Sequence, residues 1–435
     1  MGGYKDMKKI ISILLCMVLT VALLAACGTK ETTGGTSTEV TTDTSVDAST
    51  DTATDTSGEK PVVKVYGKVV EYTSGPMMTD ALTEMLKDQY VIDAIQVDWA
   101  NQDTVIRTGI ASGDPCDIYN YTPSGMINFL DMATDLKPYL DADPDWKAQF
   151  SDAALAAATY DGKIVNVPWE QNFPVILANK TKLDELGIVI PESWTFEEFS
   201  VVAEEIKAAG YYPFTNAMDH GRATWIFRNA MLSVVVSEGL DDEYAAGTLS
   251  ISGDEAVAAL EAVKSLYDND YMYPGEGAVT VKNDECKVGF YQGDVLMMPE
   301  IAAGAKTTAD AADFEVVTVP WPSAGSVEAI NGVYNGFFVP MNVDDVDVAV
   351  DVLKAFTSTE IQAIHGAEGY IPANVNVEIT DPFVNEVLTR SAAIAADYPF
   401  TIETWDYLRN GLIPDLILNG GVDTVISQLS FLEQQ

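Results

Sequence analysis

Cys116 follows Gly113-Asp114-Pro115 and has no histidine motif near it, so nothing local would activate it as a nucleophile. The chain has four cysteines, Cys16, Cys27, Cys116 and Cys286, and two histidines, His220 and His365. That inventory is too small and too scattered for a zinc site of the Cys/His kind. No GxxxxGK[ST] phosphate loop, GxGxxG, HExxH or GxSxG occurs, so the sequence points to no catalytic residue, no metal and no cofactor. Glycoside hydrolysis needs two carboxyls roughly 5–10 Å apart. With 66 acidic residues, close pairs arise by chance, so spacing says nothing about them. Aromatics at turns are more informative. Trp169, Trp321, Tyr334 and Tyr370 each sit beside Pro, Gly or Asn, and Trp225 follows the loop Asp219-His220-Gly221-Arg222. Flat aromatic faces suit the C–H face of a sugar ring, and their polar neighbours suit its hydroxyls. Each could equally be core packing.

The elements that would carry these residues alternate. Val62, Val63, Val65, Val69 and Val70 suggest a strand ending near Tyr72, and apolar spacing suggests a helix over about 78–89. A strand at 92–97, a helix at 103–112 and a short strand at 117–119 follow. This β-α-β-α-β order is the mark of a parallel sheet covered by helices, whose ligands sit beyond the carboxyl ends of the strands. Residues 162–169, 173–179, 314–321 and 336–340 read as further strands, the last introduced by a turn at Asn335-Gly336. Thr195–Glu198, Ser252–Glu255 and Thr357–Glu360 each read as a capping box opening a helix. The last hundred residues read as mostly helical, and no internal repeat is present.

Lys5, Lys8 and Lys9 precede an apolar run over 10–26, the pattern of a secretory signal. The run ends Leu24-Ala25-Ala26-Cys27-Gly28, which resembles the bacterial lipobox, so Cys27 is the expected acylation site. Two acyl chains suffice for stable anchoring. Residues 28–60 are almost all Thr, Ser, Gly, Asp and Glu, with no apolar period. They read as a disordered tether with a reach of about 30 Å.

The chain is 47% hydrophobic, rich enough for sizeable cores, and carries a net charge of -42. Its ends contribute little of that excess, which therefore lies on the body. Such a surface repels nucleic acid and anionic membrane.

Several segments together resemble the family-one extracellular solute-binding proteins, the group that includes maltose-binding protein. Ile110–Ile118 is similar to the family's ASGDxPDV stretch, with Cys116 where proline is usual. Asp161–Trp169 is similar to DGKIYGVPW, Ile176–Lys180 to the YYNKD segment and Pro191–Phe199 to PxTWEEF. Phe290–Met297 is similar to FxxGxAAM, and Glu368–Ala373 to a late GxxPA turn. The resemblance implies an α/β fold of two lobes, the type II periplasmic-binding arrangement, with ligand held between lobes joined by a hinge. Lobe one is placed at 61–168 plus 320–357, and lobe two at 169–319 plus 358–435. Carried over motif by motif, the cleft receives Trp169, Glu170, Glu300, Trp321, Tyr334, Asn335 and Tyr370, with Tyr72, Tyr121 and Trp225 on lining loops. Trp194 falls at a helix-packing position. Cys116 and Cys286 fall in different lobes, where a bridge would hinder closure, so free and mostly buried thiols are expected. His220 and His365 are expected to be solvated or structural.

The function this implies is a monomeric, lipid-anchored receptor on the outer face of the cell membrane. It would capture a carbohydrate, expected to be an oligosaccharide, and deliver it to the permease subunits of an ABC transporter, without enzymatic chemistry. A glycoside hydrolase, a receptor for a non-sugar solute, and a sensor subunit remain as alternatives.

Overall fold

The computed structural model describes residues 60–99 and 101–434. The expected signal segment, the acylation site Cys27 and tether residues 28–59 lie outside the described residues. Thirteen strands follow in chain order. They are β1 (Val62–Lys68), β2 (Val91–Gln96), β3 (Ile118–Tyr121), β4 (Thr159–Tyr160), β5 (Lys163–Ile164), β6 (Val167–Asn172) and β7 (Pro174–Asn179). Then come β8 (Tyr212–Phe214), β9 (Val295–Ile301), β10 (Val316–Val319), β11 (Ile330–Asn331), β12 (Val333–Phe338) and β13 (Ile394–Ala395). The helices that matter most for the site are α1 (Ser74–Leu86), α2 (Gln102–Ser112), α3 (Phe196–Ala208), α4 (Ala223–Glu238), α5 (Asp254–Asp268), α6 (Val346–Phe356) and α7 (Thr359–Ala367).

Two main sheets result. The first has the order β2-β1-β3-β12-β6 and the second β10-β7-β9-β8. β1 pairs in parallel with β2 and β3, as expected of the β-α-β-α-β start, whereas β12 runs antiparallel to both β3 and β6. β7 is buried along its whole length and reads as a continuous apolar run, which suits a strand covered on both faces. α1 turns Met78, Leu82 and Leu86 inward at four-residue spacing. α4 is buried on nearly every side from Ala223 to Val235, so it runs through a core rather than over one.

Each sheet has its own core. The first joins residues from Val63 to Trp169 with residues from Phe337 to Ile361. The second joins Phe173 to Ile330 with Ile371 to Leu429. The chain therefore passes between cores three times, at 170–172, 331–336 and 362–370.

Several local expectations change. The first strand stops at Lys68, which leaves Tyr72 in the turn before α1, and α1 itself opens at Ser74. The stretch 162–169 is interrupted: Asp161 and Gly162, at φ 49° and 75°, turn β4 back on β5, and β6 starts at Val167. Asn335-Gly336 is not a turn but lies inside β12, at a shift in its register with β6. A glycine is needed there because a Cβ would sit 1.7 Å from Asn166 Oδ1. Of the three capping boxes, Thr195–Glu198 forms in full. Ser252 instead donates to Glu433 Oε2 at 2.6 Å, and Gly253 is the residue before α5. At the third, Thr357 donates back to Leu353 O at the end of α6, and Ser358 accepts from Ile361 N–H as the cap of α7. Cys116 and Cys286 are both free; Cys116 packs beside the first core and Cys286 lies in the second. Burial pushes the Cys286 thiol up to about 11.

Candidate functional site

The three passages between the cores meet at one carboxylate. β6 lies between β12 and residues 371–373, bonding the latter through Gln171 N–H to Ile371 O (2.8 Å) and Ala373 N–H to Trp169 O (2.9 Å). Glu170 on β6 is fully buried. Its Oε2 accepts from the side-chain amide of Asn335 on β12 and from the Tyr72 hydroxyl at 3.5 Å. Its Oε1 lies 3.2 Å from Nε2 of His365 on α7, close enough to pair but not aligned for a hydrogen bond. His365 Nδ1 meets Ser74 Oγ, at the start of α1, at 2.8 Å. Tyr370 stacks on His365 at 4.6 Å and 4°, and Tyr72 stacks on Tyr370 at 4.8 Å. The Thr73 N–H donates to the Tyr370 hydroxyl at 3.1 Å. Burial, then the charge of Glu170, holds the Tyr72 hydroxyl well above its usual range.

Serine, histidine and carboxylate thus follow one another in the order of a hydrolytic triad. All three side chains are fully buried, so Ser74 Oγ meets no solvent. The constellation ties segments together.

A second carboxylate, Glu300 at the end of β9, is also fully buried. Its Oε1 is 2.5 Å from Arg222 Nη1 and its Oε2 2.8 Å from Lys287 Nζ. Burial alone would raise its pKa, but the two cations outweigh burial and hold it below its ordinary value. The Arg222 guanidinium lies 4.8 Å over the Trp225 ring, which joins Trp225 to this cluster.

The remaining residues chosen from sequence divide differently. Trp169 packs in the first core against Phe337 and Phe356, and Trp321 in the second, its indole N–H donating to Pro174 O at 2.9 Å. Both are 2% exposed, so neither ring presents a face to solvent. Trp194 packs on Phe199, as a helix-packing residue should. Tyr334 is half-buried, its hydroxyl accepting from the Gln171 amide at 3.5 Å. Tyr121 is buried and donates to Asp103 Oδ1 at 2.5 Å.

Sequence reasoning missed an open concave surface to which both halves contribute. A cleft of about 690 Å³ is lined by Glu71, Gln96, Val97, Asp98, Trp99 and His220. Five of these lie at the carboxyl ends of the parallel strands β1 and β2, and His220 comes from the turn between β8 and α4, so both halves supply walls. Trp99 is 43% exposed, and its indole N–H donates to the Glu71 carboxylate. His220 has φ 52° beside Gly221 at 74°, and its side chain stands out into solvent with Nε2 3.6 Å from Asp219. The signal was available: Val97-Asp98-Trp99 directly follows the second strand, where ligands of parallel sheets collect. A smaller hollow of about 390 Å³, lined by Tyr273, Pro274 and Val288 among others, includes none of the residues chosen from sequence. Among the described residues no group of three or more His, Cys, Asp and Glu is placed to hold a metal, and no helix is long and apolar enough to cross a membrane.

The fold is shared with solved structures. One, from work on xylan utilization by Caldanaerobius polysaccharolyticus, superposes with TM-score 0.72 at 18% identity, covering 86% of this chain and 99% of that one. An ABC substrate-binding protein of Listeria monocytogenes in complex with cycloalternan superposes with TM-score 0.70 at 15% identity, covering 86% and 98%. At these identities the likeness establishes the fold, the two-lobed type II arrangement. The multiple sugar-binding protein of Streptococcus mutans is 32% identical over 118 residues, a match that spans 27% of each chain. The family model of the bacterial extracellular solute-binding proteins matches residues 78–390, most of the described body, and it is to this family that the chain belongs.

Proposed function

We propose that this chain captures a carbohydrate, an oligosaccharide, between its two halves and hands it to the permease subunits of an ABC transporter. The observation that carries the reading is Trp99, an exposed ring held at a cleft whose walls come from both halves. The sugars named for the Streptococcus and Listeria proteins support it. The lobes of this reading follow the two cores, and the hinge is the triple passage around Glu170. Ligand that touches both walls binds the shut form better, so it moves the population toward that form, and the permease reads the shut shape. Of the residues selected from sequence, Glu170, Asn335, Tyr72 and Tyr370 belong to the hinge, and Glu300 and Trp225 support the His220 side of the cleft. Cys27, acylated, would hold the chain as a monomer at the outer face of the membrane.

Calorimetry of the folded chain against a panel of neutral oligosaccharides tests the proposal. Saturable binding to one or more members is expected. Heat from an amino acid, peptide or polyamine instead, with silence across the sugars, would reject it.

A further inference from the structure

We infer that Trp99 is the stacking platform of the cleft and that its rim admits sugar rings without negative charge while turning away anionic ones. This rests on the carbohydrate reading above and narrows it to a class of substrate.

Among the described residues Trp99 is the only exposed tryptophan; Trp146, Trp169, Trp194, Trp225 and Trp321 are buried and Trp405 is half-buried. Its ring is also held. The indole N–H donates to Glu71, which sits on the neighbouring loop after β1, so the plane of the ring is fixed from outside its own loop. Asp98 is fixed as well: its N–H donates to the Tyr66 hydroxyl at 2.7 Å, and its Oδ2 accepts from the Asn101 amide at 2.9 Å. Each carboxylate therefore spends one oxygen on holding the site. Among the described residues the other oxygen, Oε2 on Glu71 and Oδ1 on Asp98, has no hydrogen-bond partner.

A flat ring flanked by two unspent carboxylate oxygens matches a pyranose: C–H face on the indole, hydroxyls donating to the carboxylates in charge-assisted bonds. The same rim is hostile to a uronate, sulfate or phosphate group, which would bring a third negative charge against the two. Among the described residues no lysine or arginine lines the cleft. Its one ionisable base is His220, whose Nε2 lies 3.6 Å from Asp219 on its own turn and which shares the cleft with Glu71 and Asp98.

The test is run at pH 7.5 on the full folded body, following tryptophan fluorescence and binding heat. The probes are maltotriose, xylotriose, chitotriose and raffinose, set against trigalacturonate as the anionic counterpart. Expected are binding of at least one neutral sugar, a weakening of roughly tenfold or more in Trp99→Ala, and a much smaller loss in Trp99→Phe, which keeps a platform. Glu71→Gln and Asp98→Asn should weaken the neutral sugar while narrowing its advantage over trigalacturonate. Circular dichroism checks that each variant folds; all three positions are on exposed loops. Trigalacturonate binding the wild type as tightly as the neutral sugars, or Trp99→Ala binding a neutral sugar unchanged, overturns this inference and leaves the carbohydrate reading standing. No sugar of either kind bound by the folded wild type overturns both.

Discussion

Asn335 on β12 donates its side-chain amide to Glu170 on β6, so the first two passages between the cores are joined through a buried carboxylate as well as through their backbone ladder. The third passage reaches the same carboxylate through His365. Removing it strands several buried donors at once.

Glu170→Ala should therefore destabilise the chain by about 3 kcal/mol, because the Asn335 amide, the Tyr72 hydroxyl and His365 lose a shared, fully buried partner. Asn335→Ala, which removes one donor, should lose about 1 kcal/mol. Urea unfolding at neutral pH compares the two. Equal effects would mean that the carboxylate is not shared.

Glu300 gives a pH signature. Its folded pKa lies below the ordinary 4.5, so its contribution is complete above about pH 4.5 and fades as pH falls through the folded value. Glu300→Gln should lower stability on the order of 3 kcal/mol at pH 7, leaving Arg222 and Lys287 without their partner. The gap between wild type and variant should close as the solution is acidified below pH 4.5. Thermal melts over pH 3–7 measure it, and a gap that widens on acidification would contradict the assignment.

Thr195 and Ser252 occupy the same place in the same motif and should respond differently. Thr195→Ala breaks a formed capping box and should destabilise by about 1 kcal/mol. Ser252→Ala removes exposed bonds to Glu433 and to the Ser250 hydroxyl and should stay within about 0.5 kcal/mol.

Cys27→Ser should move the exported chain from the membrane pellet to the medium, checked by fractionation. Retention in the pellet would argue against acylation at this residue.

These contrasts show what the sequence could and could not convey. Apolar runs and spacing locate β1, β2, β3 and the helices between them, because each segment carries its own apolar residues. The Thr195 box formed because its partners are three residues apart. Ser252 failed to cap because a glutamate from the far end of the chain, Glu433, competes for it, and no local window contains that competitor. Asn335-Gly336 read as a turn because glycine usually marks one; the actual demand is space beside Asn166, a tertiary fact. An isolated histidine such as His365 has no spacing to interpret, and its role depends on Glu170 and Ser74 arriving from other segments. Turn neighbours and the family motifs mark Trp169 and Trp321 for a cleft, yet both are buried, whereas Trp99, on a strand's carboxyl end, is exposed and carries neither mark.

The triple passage also has a consequence for biosynthesis. The first core needs Val63 and Ile361 together, and its sheet has β12 between β3 and β6. As the polypeptide leaves the ribosome, that half cannot close until α6 and α7 have emerged, by which point most of the molecule has been translated. That half therefore closes only after every strand of the second sheet has been synthesised.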